Sequence, residues 1–328
     1  MYLNNLDPLY PFKPLLEAIE NRPDRVDYLE DVKEWLRYLQ GVEHRTIRIT
    51  MTKGKGEDLE PVLLSFEYPH RWRDTYRNMT LAKLYKLEDA LKGQDQAYTL
   101  MSLTTYQDGE YSRKKIPGGY SIPESFEVLS DRGRALMHQV KRRMAPDLQY
   151  LWTVEPHKLK DSGYPHRHYI MNRVFTEEET ARIRHLWSDL YRAGSRDHGI
   201  DFSVRTTEGS LRSLRNYVMA YLAKSLSPHQ LTPGEVVYHA VAARHHYRFW
   251  GASREWSALM QRAAAPSPLQ WVMTQVVDEW GDAYTAHQAD QVAGEVLAII
   301  QDWEAGGGAG IPSAPGAGQG DPLVVAET

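Results

Sequence analysis

Two histidines one residue apart, His166 and His168, sit in the stretch Gly163-Tyr164-Pro165-His166-Arg167-His168-Tyr169-Ile170. On an extended segment, side chains alternate between faces, so both imidazoles project to the same side. Neutral imidazole is the commonest metal ligand near physiological pH, and such a pair can hold one cation with two nitrogens. Alone the pair is a weak signal. Glu155 ends an apolar run, Tyr150-Leu151-Trp152-Thr153-Val154-Glu155, that precedes the histidines by one short turn. Two strands joined so closely are expected to pair antiparallel. That pairing would bring the Glu155 carboxylate towards both rings. Two imidazoles and a carboxylate leave coordination positions open for water and a phosphate oxygen. They suit Mg²⁺ or Mn²⁺, with Mn²⁺ better matched to nitrogen. His157 is a competing third ligand.

A second group lies downstream. Tyr217, Tyr221 and Lys224 fall at helical spacing on one face of a helix expected over residues 209–225. A phenol is a poor nucleophile, its pKa being about 10. A cation one turn away and an electrophile polarised by a metal would make it useful. Tyr217 has Ala220 where Tyr221 has Lys224. A tyrosine pair on an amphipathic helix ordinarily packs into a core. A third stretch, Arg244 to Arg254, interleaves cations with Tyr247, Phe249 and Trp250. Cations there can hold a nucleic-acid backbone while rings stack on bases, although an aromatic strand with a basic edge has the same composition. His245 and His246 are adjacent, would face opposite sides of a strand, and make a poor metal pair.

The elements that must position these groups follow from periodicity. Residues 1–40 read as two short helices separated at Pro23 and Asp24. Thr46 to Phe66 reads as a hairpin about the basic, glycine-rich turn Lys53-Gly54-Lys55-Gly56, and residues 79–92 as a helix. That turn lacks the Gly-Lys-Ser/Thr ending of a phosphate loop, and no Walker A motif occurs in the chain, so no ATP-driven motor is expected. Tyr98 to Thr105 is a strand that turns polar at its end. A loop runs to about Ser130, and a basic helix is expected over Asp131 to Met144. Thr176 to Glu179 is a capping box that opens a helix to about Tyr191. Residues 234–262 read as helix followed by the basic aromatic segment. Residues 267–304 read as acidic amphipathic helices. From Gly306 the composition of Gly, Ala, Pro and Ser predicts a disordered tail.

Composition bounds the partners. The chain of 328 residues has no cysteine, which removes disulfides, thiol nucleophiles and Cys-type zinc sites. No apolar run approaches the roughly 18 residues of a membrane span, and the start, Met1-Tyr2-Leu3-Asn4, does not read as a signal peptide. A cytoplasmic location, with no membrane partner, is therefore expected. The formal net charge of −4 hides an asymmetry: residues 151–262 hold 16 Lys/Arg against 11 Asp/Glu, whereas residues 263–328 hold nine acids and no Lys or Arg. The middle of the chain can face phosphates, and its C-terminal part cannot.

Three of these stretches occur in the order of a known set of motifs. The strand ending in Thr104-Thr105, the Glu155-Pro156-His157 and His166-Arg167-His168 pair, and Tyr217-x-x-x-Tyr221-x-x-Lys224 resemble the motifs of the HUH endonuclease superfamily. The resemblance is to rolling-circle replication initiators (Rep proteins) of plasmids and small viruses. Trp250-Gly251-Ala252-Ser253-Arg254 is similar to the segment that follows the third motif. The resemblance covers about residues 97–255. It implies an α+β fold with a central antiparallel sheet flanked by helices, plus extra N-terminal and C-terminal helices. The implied organisation is an N-terminal region of unread role (1–96), an endonuclease domain (97–262), an acidic helical region (263–304) and a tail (305–328).

The implied activity is nicking and rejoining of single-stranded origin DNA in the host cell of a plasmid or virus, alongside host replication machinery. His166, His168 and Glu155 would hold Mg²⁺ or Mn²⁺. Tyr221 would form a 5′-phosphotyrosyl link, steadied by Lys224, and Tyr217 could serve a second transfer. Thr104, Thr105, Arg248, Trp250 and Arg254 would contact DNA. A relaxase, a single-strand transposase, or a non-catalytic replication repressor would share the fold. Two departures stand out. Arg167 occupies a position that is usually hydrophobic, and Ala220 one where members with two working tyrosines often have lysine.

Overall fold

A computed structural model of the chain describes residues 9–42, 46–55, 58–67, 74–91, 97–106, 119–157, 161–205, 231–260 and 270–278. In chain order these form α1 (Lys13–Glu20), α2 (Leu29–Val42), β1 (Thr46–Lys55), β2 (Asp58–Glu67), α3 (Asp74–Leu91), β3 (Tyr98–Thr104), α4 (Ile122–Arg143), β4 (Tyr150–Pro156) and β5 (Pro165–Met171). There follow α5 (Glu177–His185), β6 (Ile200–Arg205), α6 (Pro233–Arg244), β7 (Trp250–Ala252), α7 (Arg254–Met260) and β8 (Gln270–Asp278). The architecture is α+β. Two compact units emerge, one of Met1–Gln40 with Thr80–Met260, the other of Gly41–Met79 with Gln261–Thr328. None of the described helices is long and apolar enough to cross a membrane.

The smaller unit is a three-stranded sheet, β2-β1-β8. β1 and β2 pair antiparallel from Thr46↔Glu67 to Lys55↔Asp58, as the hairpin pattern predicts, although Lys53-Gly54-Lys55 lies inside the strand. The other edge of β1 pairs with β8. This corrects the helical reading of residues 267–304, at least over 270–278. Trp271, Val272, Thr274, Val276 and Val277 are aromatic or β-branched residues that suit a pleated surface. Residues 279–304, and the tail, lie outside the described residues.

The larger unit is built on a five-stranded antiparallel sheet, β6-β3-β5-β4-β7, with β5 at its centre. The period-two alternation gives this sheet two different faces. One face is apolar at one end, where Leu151, Ile170 and Tyr98 pack with Leu84, Leu87 and Leu91 of α3 and with Trp256 and Met260 of α7. Its other end is polar and carries the candidate site.

The reverse face is covered by α4 and α6. Tyr238 of α6 donates its hydroxyl to the Val154 carbonyl at 2.8 Å. Gly133 lets α4 approach β5: a Cβ there would lie 3.0 Å from the Tyr169 hydroxyl and 3.3 Å from Arg167 Nη1. α4 begins nine residues earlier than the sequence reading placed it. Ser121 caps it, accepting from the Glu124 amide while the Glu124 carboxylate takes the Ser121 amide. Pro123 is harmless in a first turn, where its missing N–H has no helical partner. The Gly/Pro/Ser bias of the preceding stretch obscured this start.

The N-terminal helices are tied to the hairpin through one buried cation. Arg25, 1 % exposed, donates from Nη1 to Asp161 Oδ2 at 3.0 Å and from Nη2 to the Asp161 carbonyl. Asp161 also accepts the Gly234 amide at 3.0 Å and the Thr232 hydroxyl, so it caps α6 as well. Gly163 sits at φ +74, and a Cβ there would fall 2.6 Å from the Gly234 carbonyl oxygen. Gly163→Ala is expected to lower stability by about 2–3 kcal/mol, through left-handed strain and the backbone clash. Urea unfolding measures it; an unchanged midpoint would remove Gly163 from this lock.

Candidate metal centre and its cleft

The β4–β5 hairpin sets Glu155 opposite His166 and Thr153 opposite His168. On the other side of β5, β3 sets Thr104 opposite His166 and Ser102 opposite His168. Directly paired residues share a face, so two imidazoles, a carboxylate and three hydroxyls converge at the polar end of the sheet. His168 lies between two partners. Its Nε2 is 2.5 Å from Glu155 Oε1, and its Nδ1 is 2.7 Å from Ser102 Oγ. The His166 and His168 rings stack at 4.3 Å between centroids. His157 stacks on the outer side of His166 at 5.3 Å, and its amide donates to the Tyr164 carbonyl, which extends the hairpin by one bond.

Glu155 and His168 are 6 % and 5 % exposed. His166 Nε2 and His157 Nδ1 are buried and have no hydrogen-bond partner among the described residues. Buried polar atoms are normally satisfied, so orphaned imidazole nitrogens beside a carboxylate call for an occupant. This donor set fits a divalent cation of the Mg²⁺ or Mn²⁺ kind. Burial pushes the His166 pKa well below the usual imidazole value, and the neighbouring His168 and His157 push it the same way. His157 is also lowered by burial, against the opposing pull of Glu155 and with a further lowering from His168. Both rings are therefore neutral at pH 7, the form that binds metal. If the Ser102 hydroxyl accepts Nδ1–H of His168, the Nε2 lone pair is left towards Glu155. As the chain stands, no group of three or more His, Asp or Glu is gathered about one point among the described residues. A cation would take the place of the His168–Glu155 contact.

The depressed pKa values have a consequence for the metal-free protein. Below the unfolded imidazole pKa of about 6.5 the unfolded chain takes up protons at His157 and His166, while the folded chain does not. Stability is thus expected to fall as pH drops from about 6.5 towards 5. Urea unfolding in a chelating buffer at several pH values tests this. A flat profile in that window would contradict the burial of neutral rings.

The site opens into a cavity of about 440 Å³ lined by Ser102, Thr104, Thr105, His157, His166, Asp201 and the loop 195–200. Thr105 also spends its hydroxyl on Ser125 Oγ at 2.9 Å. Asp201, opposite Ser102 on β6, and the Ser195–Gly199 loop were not singled out from the sequence. The alternating Ile200-Asp201-Phe202-Ser203-Val204 was the available signal for this strand. The basic aromatic segment does not form one surface. Trp250 packs against the apolar cluster, Arg254 is exposed at the start of α7, and exposed Arg248 lines a cavity with Arg167. His245 and His246 form the turn that ends α6. Tyr217, Tyr221 and Lys224 lie outside the described residues.

Arg167 points to the reverse face. It is 6 % exposed, donates from Nη1 to the Leu129 carbonyl at 2.6 Å and to the Tyr169 hydroxyl at 3.3 Å, and its guanidinium lies 4.3 Å over the Trp152 ring. A cation tolerated on a covered strand thus has its partners. Comparisons with protein-family models, curated proteins and solved structures give no match to this chain.

Proposed function

We propose that the chain is a metal-dependent endonuclease and strand transferase of the HUH type, acting on single-stranded DNA as a rolling-circle replication initiator. The observation that carries this reading is that His166 and His168 of the central strand share one face of the sheet with Glu155 of β4, with two orphaned imidazole nitrogens beside an open cavity. A bound divalent cation would polarise the scissile phosphate. His166, His168 and Glu155, with His157 alongside, would hold it, and Ser102 would fix the orientation of His168. Thr104, at the cavity wall, would face the DNA backbone. The Tyr221 hydroxyl attacks phosphorus: an O–P bond to the tyrosine forms, the P–O3′ bond breaks, and the 3′ oxygen leaves with a proton. Lys224 steadies the phenolate, and Tyr217 is available for a second transfer. The reverse transfer rejoins the strand.

The test is incubation of the full chain with labelled single-stranded origin DNA, with and without Mn²⁺ or Mg²⁺. A metal-dependent covalent adduct that maps to a tyrosine is expected. No adduct on either strand, from protein shown to be folded and metal-loaded, would leave a non-catalytic DNA-binding role as the better reading.

A further inference from the structure

We propose that the chain also binds a nucleotide, a flat base carrying a phosphate, on the reverse face of the sheet in the cavity around Arg167. Arg167 and His168 are consecutive on β5, so their side chains leave opposite faces and this cavity is separate from the histidine centre. The cavity measures about 440 Å³, within the range of small-ligand sites, roughly 300–1,000 Å³. Its lining is cationic and aromatic, with the Tyr247 hydroxyl donating to Glu127 at 3.4 Å. Arg134, Arg167 and Arg248 supply cations, Tyr150, Trp152 and Tyr247 supply rings, and no carboxylate lines it.

Arg167 is the second observation. It is 6 % exposed, and its Nε has no hydrogen-bond partner among the described residues. Its neighbours are a carbonyl, a hydroxyl and an indole face, all neutral. A buried cation with no counter-charge is costly, and an anion in the cavity would neutralise it. Arg248 is exposed. Arg134 meets Asp131 only at 3.7 Å with both side chains exposed, a contact too weak to compete with a phosphate. Tyr247 already stacks on Phe126 and on His245, and Trp152 carries the Arg167 guanidinium, so the wall left for a base to stack on is the half-buried Tyr150 ring. The base and phosphate could belong to a free nucleotide or to one residue of a single strand.

The experiment titrates the full-length protein by calorimetry in a chelating buffer, so that the histidine centre plays no part. The ligands are deoxyadenosine monophosphate, deoxyadenosine, inorganic phosphate and a deoxyadenylate hexamer. The monophosphate is expected to bind at least tenfold more tightly than phosphate or nucleoside, and at least tenfold more weakly to an Arg134→Gln/Arg248→Gln double variant. Both residues are exposed, so the variant should fold, which circular dichroism checks. Binding of the hexamer alone, weakened tenfold in the same variant, assigns the cavity to a strand. If phosphate binds as well as the nucleotide, or if the double variant binds every ligand like the wild type, the proposal is wrong. The Tyr221 adduct is read separately, so either proposal can fail without the other.

Discussion

Tyr221→Phe is expected to abolish the covalent DNA adduct, lowering nicking by more than about a thousandfold, the scale of loss when a nucleophile is removed. The substitution deletes one hydroxyl and keeps the ring, so single-stranded DNA binding should stay within a few-fold of wild type. Tyr217→Phe should cost far less in the first cleavage, because Ala220 gives Tyr217 no cation where Tyr221 has Lys224. Lys224→Met should fall between the two. It would leave the nucleophile in place but remove the charge that favours the phenolate, so the pH–rate profile should shift to higher pH. A purely structural lysine would lower activity at all pH values alike. If a tyrosine adduct survives in the Tyr217→Phe/Tyr221→Phe double variant, the assignment of these two residues as nucleophiles is wrong.

What could be read in the sequence was local. The β4–β5 hairpin was legible because an alternating run, a short turn and a second run determine one another, and the register that brings Glu155 to the histidines follows from the pairing. The Thr176 capping box was legible for the same reason: its donors and acceptors lie three residues apart. Features that depend on distant chain were not. β8 reads as an amphipathic helix until β1 offers it an edge. β6 alternates after the turn-prone Gly194-Ser195-Arg196-Asp197-His198-Gly199, but its place in the sheet is set by long-range pairing with β3. Arg167 looked misplaced because its partners, the Leu129 carbonyl and the Trp152 ring, come from α4 and β4, and no spacing rule connects them to it. The Ser102 hydroxyl escaped notice inside an apolar strand, although its register makes it the residue that orients His168.

That register leads to the second large effect. His168→Ala should lower Mn²⁺ affinity by more than about 100-fold, since it removes a proposed ligand, whereas Ser102→Ala should lower it by about 10–100-fold, the scale for losing the hydrogen bond that holds a ligand in place. The two substitutions separate metal binding from hydrogen bonding. His168 and Glu155 meet at 2.5 Å in a nearly dry setting, and that contact alone could be a structural device. Were it only that, Glu155→Gln, which keeps an acceptor for His168, would preserve everything the pair does. In the metal reading the same change removes a charged oxygen ligand, so Mn²⁺ affinity drops sharply while the fold survives. Ser102→Ala adds a kinetic signature: activity should return at high metal concentration, because the ligands remain and only their alignment has loosened. His168→Ala should not be rescued in this way. Calorimetric titration with Mn²⁺, followed by nicking assays across metal concentrations, measures all three variants. Equal affinities in the wild type, His168→Ala and Glu155→Gln would show that this cluster of histidines and carboxylate holds the hairpin together and nothing more.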